Sequence, residues 1–116
     1  VVGASNNPEK YGNKIVKDLK SKNYDVIPVN PKEEMIESLK TYKSLSDVPG
    51  RIDLVDVVVP SQVGINVVKE AVALGIKNIW IQPGAESPAI IDYLNAQSGI
   101  EFVAGSCIMV RTRAEV

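Results

Sequence analysis

The 116-residue chain has no histidine, one cysteine, one tryptophan and one phenylalanine. Without histidine, a Ser-His-Asp triad, a Cys-His pair and an imidazole-based metal site are all excluded. A single cysteine excludes an intramolecular disulfide framework and makes a reducing cytoplasm the default expectation. No apolar run approaches the roughly 18 residues of a membrane span, and the residues given include no basic-then-apolar signal segment. Charge of either sign is not in excess: 13 basic against 14 acidic side chains leave −1. Neither nucleic acid nor a membrane surface is therefore indicated as a partner. The acids are scattered and soft ligands nearly absent, so no metal site is assigned. Any chemistry would rest on carboxylates, Lys, Tyr or Cys107, and no catalytic residue is assigned.

Apolar residues make up 45% of the chain, enough for one core, and residues 1–116 read as one domain. Five strand-like runs alternate with helical patterns: residues 1–4, 26–29, 54–59, 78–82 and 101–104. Their continuous Val/Ile character, without in-out alternation, predicts parallel strands covered on both faces. A first strand needs about five residues, so further residues ahead of Val1 are expected.

The helices carry their own start and stop signals. The first begins near Tyr11-Gly12 and ends at Asn23, which tolerates a left-handed cap. A weak pattern over 33–39 predicts a short helix, and residues 46–49 a further turn. The next helix starts with Ser61 as N-cap and stops at Gly75. The last opens with Ser87 as N-cap and Pro88 in its first turn, and stops at Gly99. This alternation predicts an α/β, Rossmann-like, doubly wound parallel five-stranded sheet with helices on both faces. Numbered along the chain, the strands are expected in the order 3-2-1-4-5.

In such a sheet, ligands bind outside the carboxyl ends of the strands, where the order reverses. The loop after the first strand is the most informative. Gly3 and Ala4 let backbone approach a ligand, and the Ser5 hydroxyl can donate a hydrogen bond. Gly12 opens a helix whose free N–H groups favour a pyrophosphate, with Lys10 and Lys14 adding positive charge. The same glycines would also serve a tight turn and close helix packing. No G-x-G-x-x-G fingerprint and no phosphate-loop motif is present. Where a dinucleotide-binding domain places an acid for the ribose, Asn30 stands here, followed by Pro31 and Lys32. That pairing favours a phosphorylated ribose, although Asn-Pro is also a plain turn dipeptide.

The other strand ends offer Pro60, Ser61 and Gln82. Gln82, polar at a strand end, points at the site or needs another partner. Tyr42 could cover an adenine or pack on a neighbouring loop, and Trp80 is expected in the core. Cys107, at the end of the fifth strand, reads as a small buried hydrophobe or as a thiol able to form a mixed disulfide with a ligand thiol. Asp56, inside an apolar strand, is expected to hydrogen-bond a neighbouring loop.

The series V-V-G-A-S (1–5), Y-G-N (11–13), V-I-P-V-N-P-K (26–32), S-L-S-D-V-P (44–49), D-L-V-D-V-V-V-P (53–60), I-W-I-Q-P-G-A (79–85) and V-A-G-S-C-I-M (103–109) resembles the CoA-binding domain family. It is similar to the stand-alone bacterial and archaeal branch, related to the CoA-binding domain of succinyl-CoA synthetase α subunits. The resemblance spans Val1 to about Arg113. It implies coenzyme A with its diphosphate over Gly3-Ala4-Ser5 and the helix start at Tyr11, Gly12 and Asn13. It puts the adenosine end near Asn30-Pro31-Lys32, with Lys32 on the 3′-phosphate and Val59-Pro60-Ser61 as a wall. The pantetheine arm would run toward Gln82, Pro83, Gly84 and Cys107. Basic or His residues often follow the C-I-M segment, and here Arg111 and Arg113 stand in that stretch. The chain shows none of the ligase domains, so the ligase reaction is not implied.

The expected function is thus a CoA or acyl-CoA binding module, acting as carrier, sensor or regulatory partner, with a homodimer or another protein as possible partner. The alternative is an NAD(P)-binding oxidoreductase domain or a subunit of an acyl-CoA ligase.

Overall fold

The computed structural model describes residues 1–112; Arg113 lies outside them. Three strands form a parallel sheet in the order β3 (Val55–Val57), β4 (Asn78–Ile81), β5 (Glu101–Ala104). Residues 1–4 and 26–29 join it through isolated parallel bridges: Val2 pairs with both Val29 and Val57, and Val29 also with Tyr42. Only three of the five expected strands are therefore continuous.

Val2 lies between Val29 and Val57, so the third expected strand runs beside the first, opposite the second. This departs from the order 3-2-1-4-5. Alternation and right-handed crossover restrict connection geometry, but do not say on which side of the first strand the third settles. The connection that decides it, residues 30–54, has no crossover helix. Residues 33–39, expected as a short helix, instead form an antiparallel hairpin of β1 (Met35–Ile36) and β2 (Leu39–Lys40). Its two turn residues, Glu37 (φ 49°) and Ser38 (φ 65°), are both left-handed, which a right-handed helix cannot contain. A 3₁₀ turn at Leu45–Asp47 follows, matching the turn expected there.

The helices are α1 (Tyr11–Ser21), α2 (Ser61–Ala73), α3 (Pro88–Asn95) and α4 (Ile108–Arg111). Asn23 (φ 67°) follows α1 in the expected left-handed conformation. Ser87 Oγ accepts from Ile90 N at 3.2 Å, as its capping role predicts. Pro60, rather than Ser61, occupies the N-cap of α2, and Ser61 is its first helical residue. Helix α3 ends at Asn95, short of Gly99.

Alternate side chains of the sheet feed two cores. Val55, Val57, Ile79 and Ile81 are buried with Val68 and Ala71 of α2 and Ile90 and Leu94 of α3. Val58 and Trp80 pack with Ile15 and Leu19 of α1 and Ile108 of α4 on the other face. A third cluster joins Ala4, Val16 and Ile36, fastening the hairpin over α1. Both faces of the sheet are thereby covered.

Candidate functional site

Residues 1–4 are stitched on both sides before the chain leaves the sheet. Val2 N donates to Asp56 O (2.9 Å), Val58 N to Val2 O (2.9 Å) and Gly3 N to Val29 O (3.2 Å). At Gly3 (φ 101°) a side chain would be strained, and its Cβ would lie 3.0 Å from Val59 Cγ1. The first loop and Val59 are thus in contact. Helix α1 then returns beneath the loop. A Cβ on Gly12 would collide with Gly3 O and lie 3.2 Å from Ala4 Cα. The packing role of Gly12 is therefore demonstrated, and its result is to bring the amino end of α1 against the loop. That end has Lys10 as N-cap, no side-chain cap and no acid in its first turn. Its unpaired N–H groups favour an anion.

Side-chain amides fix the loop further. Asn30 Nδ2 donates to Ala4 O (2.8 Å), and Asn30 Oδ1 accepts from Lys32 N (2.8 Å). Asn13 Nδ2 donates to Ser5 O (2.9 Å) and to Glu37 Oε2 (3.0 Å). Ser5 Oγ accepts from Asn7 N at 3.0 Å, leaving its own proton to give. Asn6, which the sequence did not single out, donates to Glu33 Oε2 and Met35 O, both 2.9 Å. The hairpin is thereby tied to the loop; nothing at 33–39 signals this, because Glu-Ser is no turn dipeptide.

Gly3, Ala4, Ser5, Gly12, Asn13, Asn30 and Val59 are brought together by these contacts. Lys10, Pro31, Lys32 and Pro60 are exposed in the adjoining turns, and Ser61 is half-buried. Tyr11 is 63% exposed, with Lys14 Nζ 5.5 Å from its ring centroid. Half-buried Tyr42 lies outside Val29, with Lys40 Nζ 5.3 Å from its ring.

Gln82 has found another partner. It is buried, accepts from Ile108 N at 2.8 Å and donates to Cys107 Sγ at 3.2 Å. Cys107, the N-cap of α4, is half-buried rather than enclosed. Trp80 is half-buried and donates to Ser106 O (2.7 Å).

Asp56 does not make the expected bond to a loop. It is buried and neither carboxylate oxygen has a hydrogen-bond partner. Burial pushes its carboxyl up to about 7. It lines a largely apolar cavity of about 340 Å³, with Val1, Leu19, Val26, Ile52 and Ile108. This cavity lies at the amino ends of the strands, away from the loops described above.

A family model described as CoA binding domain matches residues 1–113. The chain is 39% identical over 82 residues to the α subunit of an ADP-forming acetate–CoA ligase II from Pyrococcus furiosus, covering 70% of this chain. It spans only 18% of that subunit's length. Among solved structures, a conserved hypothetical protein from Pyrococcus furiosus is 52% identical with a TM-score of 0.91, covering 96% of this chain and 95% of that one. A dinucleotide-forming acetyl-coenzyme A synthetase 1 from Ca. Korarchaeum cryptofilum, in complex with phosphate and ADP, is 28% identical with a TM-score of 0.78. There the match covers 90% of this chain and 24% of the synthetase.

Proposed function

Because the chain belongs to the CoA binding domain family, we propose that it binds coenzyme A or an acyl-CoA at the carboxyl ends of its strands. The observation that carries this is the convergence of the Gly3–Ser5 loop, the uncapped amino end of α1 and the Asn30–Lys32 turn at one edge. The first two offer unpaired backbone N–H groups of the kind that suit a diphosphate. The third offers a lysine where an NAD site would offer an acid, which supports a phosphorylated ribose. In this reading Lys10, Tyr11, Lys32, Tyr42, Val59, Pro60 and Ser61 line the ligand, and the pantetheine arm passes toward Pro83 and Gly84.

The protein acts in this reading as a carrier, sensor or regulatory module in the cytoplasm. Among the described residues no helix is long and apolar enough to cross a membrane. Calorimetric titration with CoA, dephospho-CoA and NAD tests the assignment. CoA is expected to bind tightest; equal affinity for CoA and dephospho-CoA removes the 3′-phosphate argument, and tighter NAD binding overturns the assignment.

A second reading is favoured by the likeness to an acetate–CoA ligase subunit: the chain serves as the CoA-holding part of an acyl-CoA ligase. Copurification with a second ligase subunit, and acyl-CoA turnover by the pair, would support it over the stand-alone module.

A further inference from the structure

The amide nitrogens of Asn13 and Asn30 are turned on the protein itself, while Asn13 Oδ1 is buried without a partner. Both N–H groups of Asn13 are engaged, by Ser5 O (2.9 Å) and Glu37 Oε2 (3.0 Å). Asn30 uses its amide nitrogen on Ala4 O (2.8 Å) and its oxygen on Lys32 N (2.8 Å). Asn13 has no donor left over for a ligand, and Asn30 keeps one amide hydrogen, its plane set by the two bonds to the loop. Asn13 is also 1% exposed, closed away behind the loop.

What the two residues hold are consecutive carbonyls, those of Ala4 and Ser5. No peptide bond in the described chain is cis. In a trans peptide the C=O and the N–H point in opposite directions. Fixing Ala4 O on Asn30 therefore turns the Ser5 N–H away from Asn30. Fixing Ser5 O on Asn13 likewise turns the Asn6 N–H away from Asn13. Neither amide donates to any group among the described residues. Both sit in the loop that closes over the amino end of α1. Successive unpaired amides of this kind bind anionic oxygens.

We infer that Asn13 and Asn30 are positioning residues: they set the Ser5 and Asn6 amides for a diphosphate and do not themselves touch the ligand. The inference rests on the CoA reading above, and it reassigns Asn30, expected as a contact at the adenosine end, and Asn13, expected as one at the diphosphate. Because Asn13 also holds Glu37, the same side chain joins the hairpin turn to the anion loop.

The test uses the full chain with Asn30→Ser and Asn13→Ser, with CoA, inorganic pyrophosphate and adenosine 3′-phosphate as probes. Affinities are measured by calorimetry, and the Ser5 and Asn6 amides are followed by NMR. Each variant is expected to lose about tenfold or more in pyrophosphate and CoA affinity, as loss of charge-assisted hydrogen bonds would produce. In Asn13→Ser, adenosine 3′-phosphate should bind within about twofold of the parent, since the positioned amides face the diphosphate; in Asn30→Ser, which also frees the Lys32 backbone, it should lose less than pyrophosphate does. In the free protein, the Ser5 and Asn6 amide signals should move in the variants. Loss of adenosine 3′-phosphate with pyrophosphate unchanged would make Asn30 a ligand contact and overturn the inference. So would unchanged Ser5 and Asn6 signals in the free variants. Failure of the parent to bind CoA would instead sink the CoA reading, leaving the free-protein signals to judge the positioning. Asn30 is half-buried, so its variant carries the test should Asn13→Ser fail to fold.

Discussion

Gly12 lies directly beneath the carbonyl of Gly3, so close that any β-carbon at position 12 would overlap the Gly3 oxygen. This contact seats the amino end of α1 against the first loop. The obstacle is backbone, which cannot swing aside as a flexible side chain would. Gly12→Ala should therefore cost about 1–3 kcal/mol, in the range of an overpacked core. It should also weaken pyrophosphate and CoA binding, because the helix end and the loop are pushed apart. Thermal melting together with calorimetry checks both; a variant with parental stability and affinity would show that the approach is looser than described.

Lys32 is exposed, and its backbone N–H is fixed by Asn30 Oδ1 at 2.8 Å. Lys32→Ala is expected to weaken CoA about tenfold while changing dephospho-CoA little, the usual scale for one charge-assisted contact. Titrating both ligands into both proteins measures the difference. An equal loss for the two would mean that the side chain does not read the extra phosphate.

The buried carboxyl of Asp56 gives the protein a pH-dependent stability of definite sign. Its pKa is raised from 3.8 to about 7, so the folded state retains a proton that the unfolded chain has released. The associated stability is complete below pH 3.8 and is lost as pH rises through about 7. At most about 4 kcal/mol is involved, from the free energy carried by each pH unit. Asp56→Asn should flatten the fall in melting temperature between pH 4 and pH 8. The difference between the two curves reports the carboxyl. Parallel curves would remove the carboxyl as the cause.

Gln82 occupies both ends of its amide on α4, through Ile108 N at 2.8 Å and Cys107 Sγ at 3.2 Å. Gln82→Ala leaves the Ile108 amide without its acceptor and should cost about 1–3 kcal/mol. Amide exchange at Ile108 should quicken, and Cys107 should react faster with an aromatic disulfide reagent as α4 loosens. An unchanged thiol rate would show that the helix keeps its seat without the glutamine.

These residues also show what was legible in the sequence. Ser87 capping Ile90 and the left-handed Asn23 follow from local chemistry, and the structure has both. The first loop and the α1 start were found because glycines mark close backbone approach. Three things were not readable. The hairpin at 35–40 has two-residue strands, and its left-handed turn is built from Glu37 and Ser38, which only tertiary contacts such as Lys20 Nζ to Glu37 O (2.7 Å) sustain. The neighbour order depends on which side of the first strand the third settles, a long-range choice with no local signature. The internal bonding of Asn13, Asn30 and Gln82 required coordinates, since an asparagine facing a ligand and one facing a carbonyl look alike in sequence.

The bridging of Val2 to both Val29 and Val57 also bears on how the chain folds. A segment at the middle of the sheet can complete its pairing only after partners 27 and 55 residues away have arrived. Such long loops must close before the contacts reward them, which slows folding relative to a helical bundle of equal size. During synthesis the Gly3–Ser5 loop would stay unformed until residue 57 had emerged. The anion site and the sheet centre would then mature in one late event.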